Sequence, residues 1–393
     1  MSVKYAVLKV GIAGLRVLYG PMKLQKTKNR ITIISRQSDK ETVDVKLLRE
    51  CLEAEYPNVE CVVMTKKIGE GIGGKIGYGF DILRQMKNIA VSKVVIIDGY
   101  CIAVSVLNHK PETKVIQMWH AMAAIKKFGH QTLDKQAGHS SRLAEIMCMH
   151  RNYDYVLCPG EETGRLFCKG FNTGADTLKV MALPRVDYIT AGDGNTLNKI
   201  AEIKDSLRDM AGDREVILYA PTFRKDGQVQ FKELVEALDF DRFFLVVRPH
   251  PLDANTYRQE LGQADDSAAA GDSTATGGSN VMVDTKERTL TWLKICDRVI
   301  TDYSAVAVET LVTGKPLYFY VYDIDEYKQN VGLNVNPLEE LPGCSATDAQ
   351  QLADMILQEY DFASLGRFKE KYLTADTTGC TKKLADFAVS LCE

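Results

Sequence analysis

Apolar residues along this chain fall into two kinds of run. Short, nearly unbroken β-branched stretches at 30–36, 59–65, 93–100, 114–120, 153–159 and 178–183 read as strands buried on both faces. Between them, 41–54 and 80–89 carry the three-and-four spacing of helices that cover such a sheet. A polar stretch rich in Gly, Asp and Asn, 190–198, interrupts the pattern. A second series follows, with strands at 215–222, 243–248, 281–284, 298–302 and 316–321 and helices at 231–238, 290–296 and 305–313. Buried strands alternating with helices predict parallel sheets in an α/β fold. Two such series predict two Rossmann-like lobes, and a ligand in an α/β sheet sits beyond the carboxyl ends of its strands, so the site is expected in the cleft between the lobes.

The expected organisation is an amphipathic helix at 1–22, a first lobe at 23–190, a second lobe at 191–365, and C-terminal helices at 366–393 that are candidates to cross back to the first lobe. Residues 262–280 contain no large apolar side chain and read as a mobile insertion in the second lobe. In the first helix, Tyr5, Leu8, Ile12, Leu15 and Tyr19 are interrupted by Lys4, Lys9 and Arg16, with Pro21 closing the pattern. A basic amphipathic helix lying in a membrane surface through residues 4–20 fits this spacing; so does a helix packed on the protein's own core. A cleaved signal peptide fits poorly, because no small-residue cleavage site follows an uninterrupted apolar core.

Composition narrows the classes. Lys plus Arg number 49 against 52 Asp plus Glu, a net charge of −3, which argues against a protein that coats nucleic acid by bulk charge. No apolar run reaches the roughly 18 residues of a membrane span. The ten cysteines form no C-x-x-C pair and sit in apolar segments, so a zinc or disulfide framework is not expected and the compartment reads as reducing and cytoplasmic. Two familiar motifs are weak. Gly69, Gly71 and Gly74 match G-x-G-x-x-G, but Ile76 replaces the hydroxyl of a phosphate loop, and a flexible glycine-rich turn is the preferred reading. Asp323 and Asp325 form a D-x-D triplet, which more simply caps the next helix than holds a metal. No metal and no cofactor are expected.

Four strand ends carry polar groups that a plain core would avoid. Trp119-His120 closes one strand and is followed by Lys126, Lys127 and Gly129 on the acceptor side; a neutral imidazole there can take a proton from an attacking hydroxyl. Arg248-Pro249-His250-Pro251 presents a guanidinium fork and a histidine on a backbone fixed by two prolines, suited to a diphosphate or leaving group. Thr301-Asp302-Tyr303-Ser304 leads through Ala305 into a helix whose start supplies free N–H groups to an anion, with Glu309 in that helix a candidate for a ribose. Thr222 and Arg224, in Tyr219-Ala220-Pro221-Thr222-Phe223-Arg224-Lys225-Asp226, could complete a phosphate cradle.

Together and in this order, these motifs resemble the CDP-glycerol glycerophosphotransferase family, the teichoic acid primases and polymerases of cell-wall synthesis. The residues that carry the resemblance are Trp119-His120 with Lys126-Lys127 and Gly129, Tyr219 to Arg224, His250-Pro251, Thr301 to Ser304 with Glu309, Lys315-Pro316, and Tyr320 with Asp323. They run from about 93 to 343. The resemblance implies a GT-B fold, a base at His120, a diphosphate contact at His250 and phosphate contacts at the 301–304 helix start. It implies transfer of an alditol phosphate from its CDP ester to a hydroxyl, with release of CMP. The implied partners are a CDP-alditol donor and a polyprenyl-diphosphate-linked acceptor at the inner face of the cell membrane. Two positions depart: Ala121 stands where the family often has glycine, and Val331-Gly332 where many members have Arg-Gly. The second departure opens the identity of the polyol, with glycerol preferred and ribitol the alternative. A sugar-nucleotide glycosyltransferase of the same shape, and a non-catalytic binding module, are the rival classes.

Overall fold

A computed structural model describes residues 3–67, 69, 71–192, 194–224, 229–250, 252–262 and 280–393. The chain divides into two units, one formed by residues up to Asp187 together with Thr374–Glu393, the other by Tyr188–Leu373.

The first unit is built on six parallel strands in the order β2-β1-β3-β4-β5-β6, where β1 is Lys28–Ser35, β2 Glu60–Thr65, β3 Ser92–Ile97, β4 Lys114–Gln117, β5 Tyr155–Cys158 and β6 Leu178–Val180. Ile31, Ile33, Val94 to Ile97, Val115, Ile116 and Val156 are all but sealed from solvent, as strands covered on both faces require. Successive strands are added outward from β1 to opposite sides, so the strand order reverses between β1 and β3, the topological switch point of the sheet.

The second unit repeats the architecture in the order β12-β11-β10-β7-β8-β9, with β7 Glu215–Ala220, β8 Phe243–Val247, β9 Val281–Val283, β10 Arg298–Thr301, β11 Leu317–Tyr320 and β12 Ser345–Ala346. Its switch point lies between β7 and β10.

Three sequence expectations need correction. The helix expected at 80–89 spans Gly71–Val91, so the glycine-rich segment from Gly71 onward is the start of a helix rather than a turn. Glycine is a poor helix former, but Met86, Ile89 and Ala90 on the same helix are wholly buried, and that packing carries the segment. The polar stretch at 190–198 contains the end of one helix, Arg185–Thr190, and the start of another, Gly194–Ala211. The helices Ser141–Ile146 and Glu161–Phe171 carry no expectation from the apolar pattern above. The unit boundaries fall at 187/188 and 373/374 instead of 190/191 and 365/366. The Phe362–Tyr372 helix belongs to the second unit because Leu365, Phe368 and Tyr372 are buried there, Phe368 lying 6.2 Å from the ring of Phe319 on β11. The Cys380–Ser390 helix packs instead on Val43–Glu55 of the first unit. Residues 263–279 of the insertion expected at 262–280, with Lys225, Asp226 and Pro251, lie outside the described residues.

All ten cysteines are free. Among the described residues no helix is long and apolar enough to cross a membrane. The Val3–Met22 helix divides its apolar side chains between two faces. Ile12 and Tyr19 are buried, Tyr19 donating or accepting at His109 Nδ1 (3.0 Å), while Val3, Val7, Val10, Val17 and Leu18 are exposed.

Candidate functional site

In the first unit, β4 ends at Gln117 and the backbone turns sharply. Trp119 has φ of +61°, a costly conformation for a bulky side chain. Gln117 holds it there, its Oε1 accepting from the Trp119 N–H at 2.9 Å while its Nε2 donates to the Gly99 carbonyl at 3.3 Å. The indole packs among Phe128, Phe171 and His150, at ring separations of 5.2, 5.0 and 6.1 Å. This turn throws His120 out beyond the strand, with its ring 4.1 Å from that of Trp119.

His120 Nδ1 lies 2.9 Å from the backbone carbonyl of Asp98, just past the end of β3. A carbonyl only accepts, so Nδ1 carries the proton and Nε2 keeps its lone pair. Gln37 Nε2, just past β1, lies 3.2 Å from the same nitrogen; with Nδ1 protonated both atoms are donors, so this is a contact and not a hydrogen bond. Burial, then the Arg185 and Lys126 cations, push the imidazole down to about 4, so it is neutral at physiological pH. Lys126 is exposed and Lys127 half-buried on the following loop.

Asp98 is buried, accepts from Ser35 Oγ, and its Oδ1 has no hydrogen-bond partner among the described residues. Burial pushes its carboxyl up to about 6. Thus β1, β3 and β4 bring Gln37, Ser35, Asp98 and His120 together at the switch point. The sequence reading identified His120 alone. The usable signal for Asp98 was an acid placed directly after the unbroken apolar run Val94–Ile97.

In the second unit, the β7 and β10 ends meet at the other switch point. Both oxygens of buried Asp302 accept from the Thr222 N–H at 2.9 Å; Thr222 Oγ1 donates to Oδ1 at 2.7 Å, and the Tyr303 N–H donates to the same oxygen at 2.6 Å. Arg224 Nη2 reaches Asp302 Oδ2 at 2.9 Å, and its Nε and Nη2 reach the two oxygens of Asp323 at 2.8 and 3.2 Å. Tyr303 Oη also donates to Asp323, at 3.0 Å. Thr301 Oγ1 donates to the Ala220 carbonyl at 2.7 Å.

These bonds correct the expected phosphate cradle. Thr222, Arg224, Thr301 and Asp302 are buried and bonded to one another or to backbone, so they lock the two strand ends instead of standing open to a phosphate. Asp323 is spent on Arg224 and Tyr303, and does not cap the next helix as expected. Arg248 is likewise occupied, its Nε donating to the Glu287 carbonyl at 2.5 Å and Nη1 to that of Pro249 at 2.8 Å. Glu309 is buried in the first turn of the Val306–Thr313 helix.

What faces outward is narrower. Ser304 and Ala305 are half-exposed at the start of that helix, and their backbone N–H groups have no partner among the described residues. His250 is exposed, its Nδ1 accepting from the Leu252 N–H at 3.3 Å and its ring lying 5.0 Å from Phe223. Among the described residues no group of three or more His, Cys, Asp or Glu is arranged to hold a metal.

The model of the family described as CDP-glycerol:poly(glycerophosphate) glycerophosphotransferase matches residues 19–389. The chain belongs to that family. It is 25% identical over 375 residues to a teichoic acid ribitol-phosphate primase of Bacillus spizizenii, covering 92% of this chain and 91% of the relative. It is 28% identical over 343 residues to a teichoic acid glycerol-phosphate primase of Bacillus subtilis, covering 86% and 81%. In structure it is similar to the wall teichoic acid polymerase TagF, with a TM-score of 0.70 at 19% identity over 100% of this chain and 98% of the other. A UDP-GlcNAc 2-epimerase from Neisseria meningitidis gives 0.55 at 12% identity over 92% and 99%. The two structural likenesses show the fold, which is GT-B-like. The chain is thus an enzyme of the teichoic acid glycerophosphotransferase family, acting on a CDP-alditol donor and a teichoic-acid-type acceptor.

Proposed function

We propose that this enzyme transfers glycerol phosphate from CDP-glycerol to a hydroxyl of a polyprenyl-diphosphate-linked saccharide or growing polymer, and that His120 is the base. The observation that carries this reading is the 2.9 Å contact of His120 Nδ1 with the Asp98 carbonyl, which assigns the ring's tautomer. With Nδ1–H held by the Asp98 carbonyl, Nε2 is the free acceptor, on a ring kept neutral by burial. The acceptor oxygen loses its proton to Nε2 as it attacks the β-phosphorus; the bond from that phosphorus to the bridging oxygen breaks, and CMP leaves. An anionic diphosphate brought near the ring raises its basicity in the complex. The Ser304–Ala305 N–H groups and exposed His250 hold the diphosphate, with Lys126 and Lys127 on the acceptor side. Thr222, Arg224, Thr301 and Asp302 serve by fixing the loop ends, and Arg248 by fixing the 284–287 loop. Catalysis is then chiefly positioning and charge stabilisation.

The exposed apolar face of the Val3–Met22 helix supports a further reading, peripheral attachment to the cytoplasmic membrane face where a lipid-linked acceptor resides. The likeness to a ribitol-phosphate primase favours CDP-ribitol as the alternative donor.

One assay tests the scheme: nucleotide release from CDP-glycerol, CDP-ribitol and UDP-sugars, with a lipid-linked disaccharide as acceptor. CMP release from a CDP-alditol is expected; UDP release from a UDP-sugar alone would make the enzyme a glycosyltransferase. His120→Ala is expected to lower turnover by about 10²-fold or more with little change in donor KM. Near-normal turnover in that variant would remove His120 as the base.

A further inference from the structure

Arg185 opens the helix after β6, and its side chain is bonded from several sides. Its Nε and Nη2 donate to Asp44 Oδ2 at 2.9 and 2.5 Å, and its own backbone N–H donates to Asp44 Oδ1 at 2.7 Å. Asp44 sits in the first turn of the Val43–Glu55 helix with its side chain only 2% exposed, against 13% for Arg185. The same Nη2 also donates to the backbone carbonyl of His120 at 2.9 Å. Burying such an ion pair confers little stability by itself, since desolvation offsets most of the attraction. The contact to His120 supplies a reason for it.

The geometry points to Arg185 and Asp44 as a positioning pair for His120, Asp44 fixing the guanidinium fork and the fork fixing the carbonyl of the catalytic residue. His120 follows directly on Trp119, whose backbone is held in the left-handed region, so the segment is strained and needs an anchor on its far side. The ring is tied at Nδ1 by Asp98 and the main chain at the carbonyl by Arg185, leaving Nε2 one direction in which to point. A displacement of about 1 Å at a reacting group can cost about 10²-fold in rate. This inference rests on the reading of His120 as the base.

The pair also sets the charge around the ring. The charged groups acting on His120 are Arg185 from its own helix, Lys126 from the loop that follows, and Asp44 from the Val43–Glu55 helix, while Asp98 at the end of β3 acts through its backbone carbonyl. The Arg185 cation disfavours the imidazolium and the Asp44 carboxylate favours it. Removing each therefore moves the acidic limb of the rate profile in opposite directions, which a purely structural role would not do.

The test is kcat and donor KM from pH 4 to 8 for the wild type, Arg185→Gln, Arg185→Lys, Asp44→Asn and His120→Ala, with unfolding midpoints as a folding check. Arg185→Gln is expected to lower kcat about tenfold or more with donor KM within about twofold, and to move the acidic limb to higher pH. Asp44→Asn is expected to move it to lower pH. Arg185→Lys keeps the charge and loses the fork, so kcat falls while the limb stays in place. If Arg185→Gln does not fold, the other two carry the test, the limb moving to lower pH in Asp44→Asn and holding its place in Arg185→Lys while kcat falls. Unchanged limbs, shifts in one common direction, or kcat losses that track only the folded fraction would overturn the pair's role while a dead His120→Ala left the base intact. A fully active His120→Ala would instead overturn the base reading itself.

Discussion

At the scale of single residues, burial has two uses in this chain: it keeps imidazoles neutral and it confines charges to their partners. His150 is buried, its Nδ1 2.9 Å from Tyr153 Oη and its ring 4.8 Å from Phe171, and burial followed by the nearby His130 pushes it down to about 3. The unfolded chain binds a proton at the ordinary value of 6.5, where the folded chain does not. The contribution of His150 to stability is therefore complete above pH 6.5 and is lost as pH falls from there, by about 1.4 kcal/mol per unit. His120, pushed down to about 4, acts with the same sign. Asp98, raised from 3.8 to about 6, acts oppositely, because its folded form holds the proton longer, and stability from it falls as pH rises across that interval. Urea midpoints at pH 6.5 and pH 5 should thus show a loss of about 2 kcal/mol in the first unit from His150, and His150→Gln should flatten that slope. An unchanged slope in the variant would assign the acid sensitivity elsewhere. Arg224 illustrates confinement. As a cation beside a proline and a threonine it looked available to phosphate, but its two partners, Asp302 and Asp323, lie far along the chain and only folding reveals that its charge is already matched.

At the scale of elements, the strands were legible because buried parallel strands are written as continuous apolar runs, and β4, β7, β8 and β10 lie within the segments those runs mark. Helices were less so. Gly71–Val91 begins in residues that locally oppose a helix, and Glu161–Phe171 is short and interrupted by Gly164 and Gly170. Of the candidate site, what could be read was the presence of polar groups at strand ends, among them His120 and Ser304. What could not be read was the set of long-range bonds that orient it, since no local pattern links Arg185 to Asp44 or His120 to the Asp98 carbonyl. The Val3–Met22 helix could be read two ways, and its structure has features of both: one stripe is tied to its own unit through Tyr5, Arg16 and Tyr19, while Val3, Val7, Val10 and Val17 face solvent. An apolar face left in water costs free energy, and a bilayer surface would recover it. Val7→Glu with Val10→Glu is expected to abolish cosedimentation with anionic phospholipid vesicles while CMP release on a water-soluble acceptor stays near normal. Undiminished vesicle binding would exclude this face as the attachment surface.

At the scale of the whole molecule, the chain passes from the first unit to the second after Asp187 and returns after Leu373, so its last helix serves the unit in which the chain began. That return is specified by chemistry. Both carboxylate oxygens of Asp187 accept backbone N–H groups at the start of the Cys380–Ser390 helix, from Cys380 at 3.0 Å and Thr381 at 2.7 Å, and Leu384, Ala385 and Ala388 are wholly buried behind them. A carboxylate at a helix start both caps it and opposes its dipole. A residue late in the sequence should therefore control the stability of the earlier unit. The molecule offers a reporter for each, since its two tryptophans are Trp119 in the first unit and Trp292 in the second. With Trp292→Phe as background, fluorescence reports the first unit; with Trp119→Phe, it reports the second. Leu384→Ala, at a site with no exposure, is expected to destabilise the Trp119-reported transition by about 2–5 kcal/mol and to leave the Trp292-reported one in place. Leu352→Ala, equally buried in the second unit, should do the reverse. If Leu384→Ala shifts both transitions equally, the two units unfold as one cooperative body, and the last helix stabilises the molecule as a whole rather than the unit it rejoins.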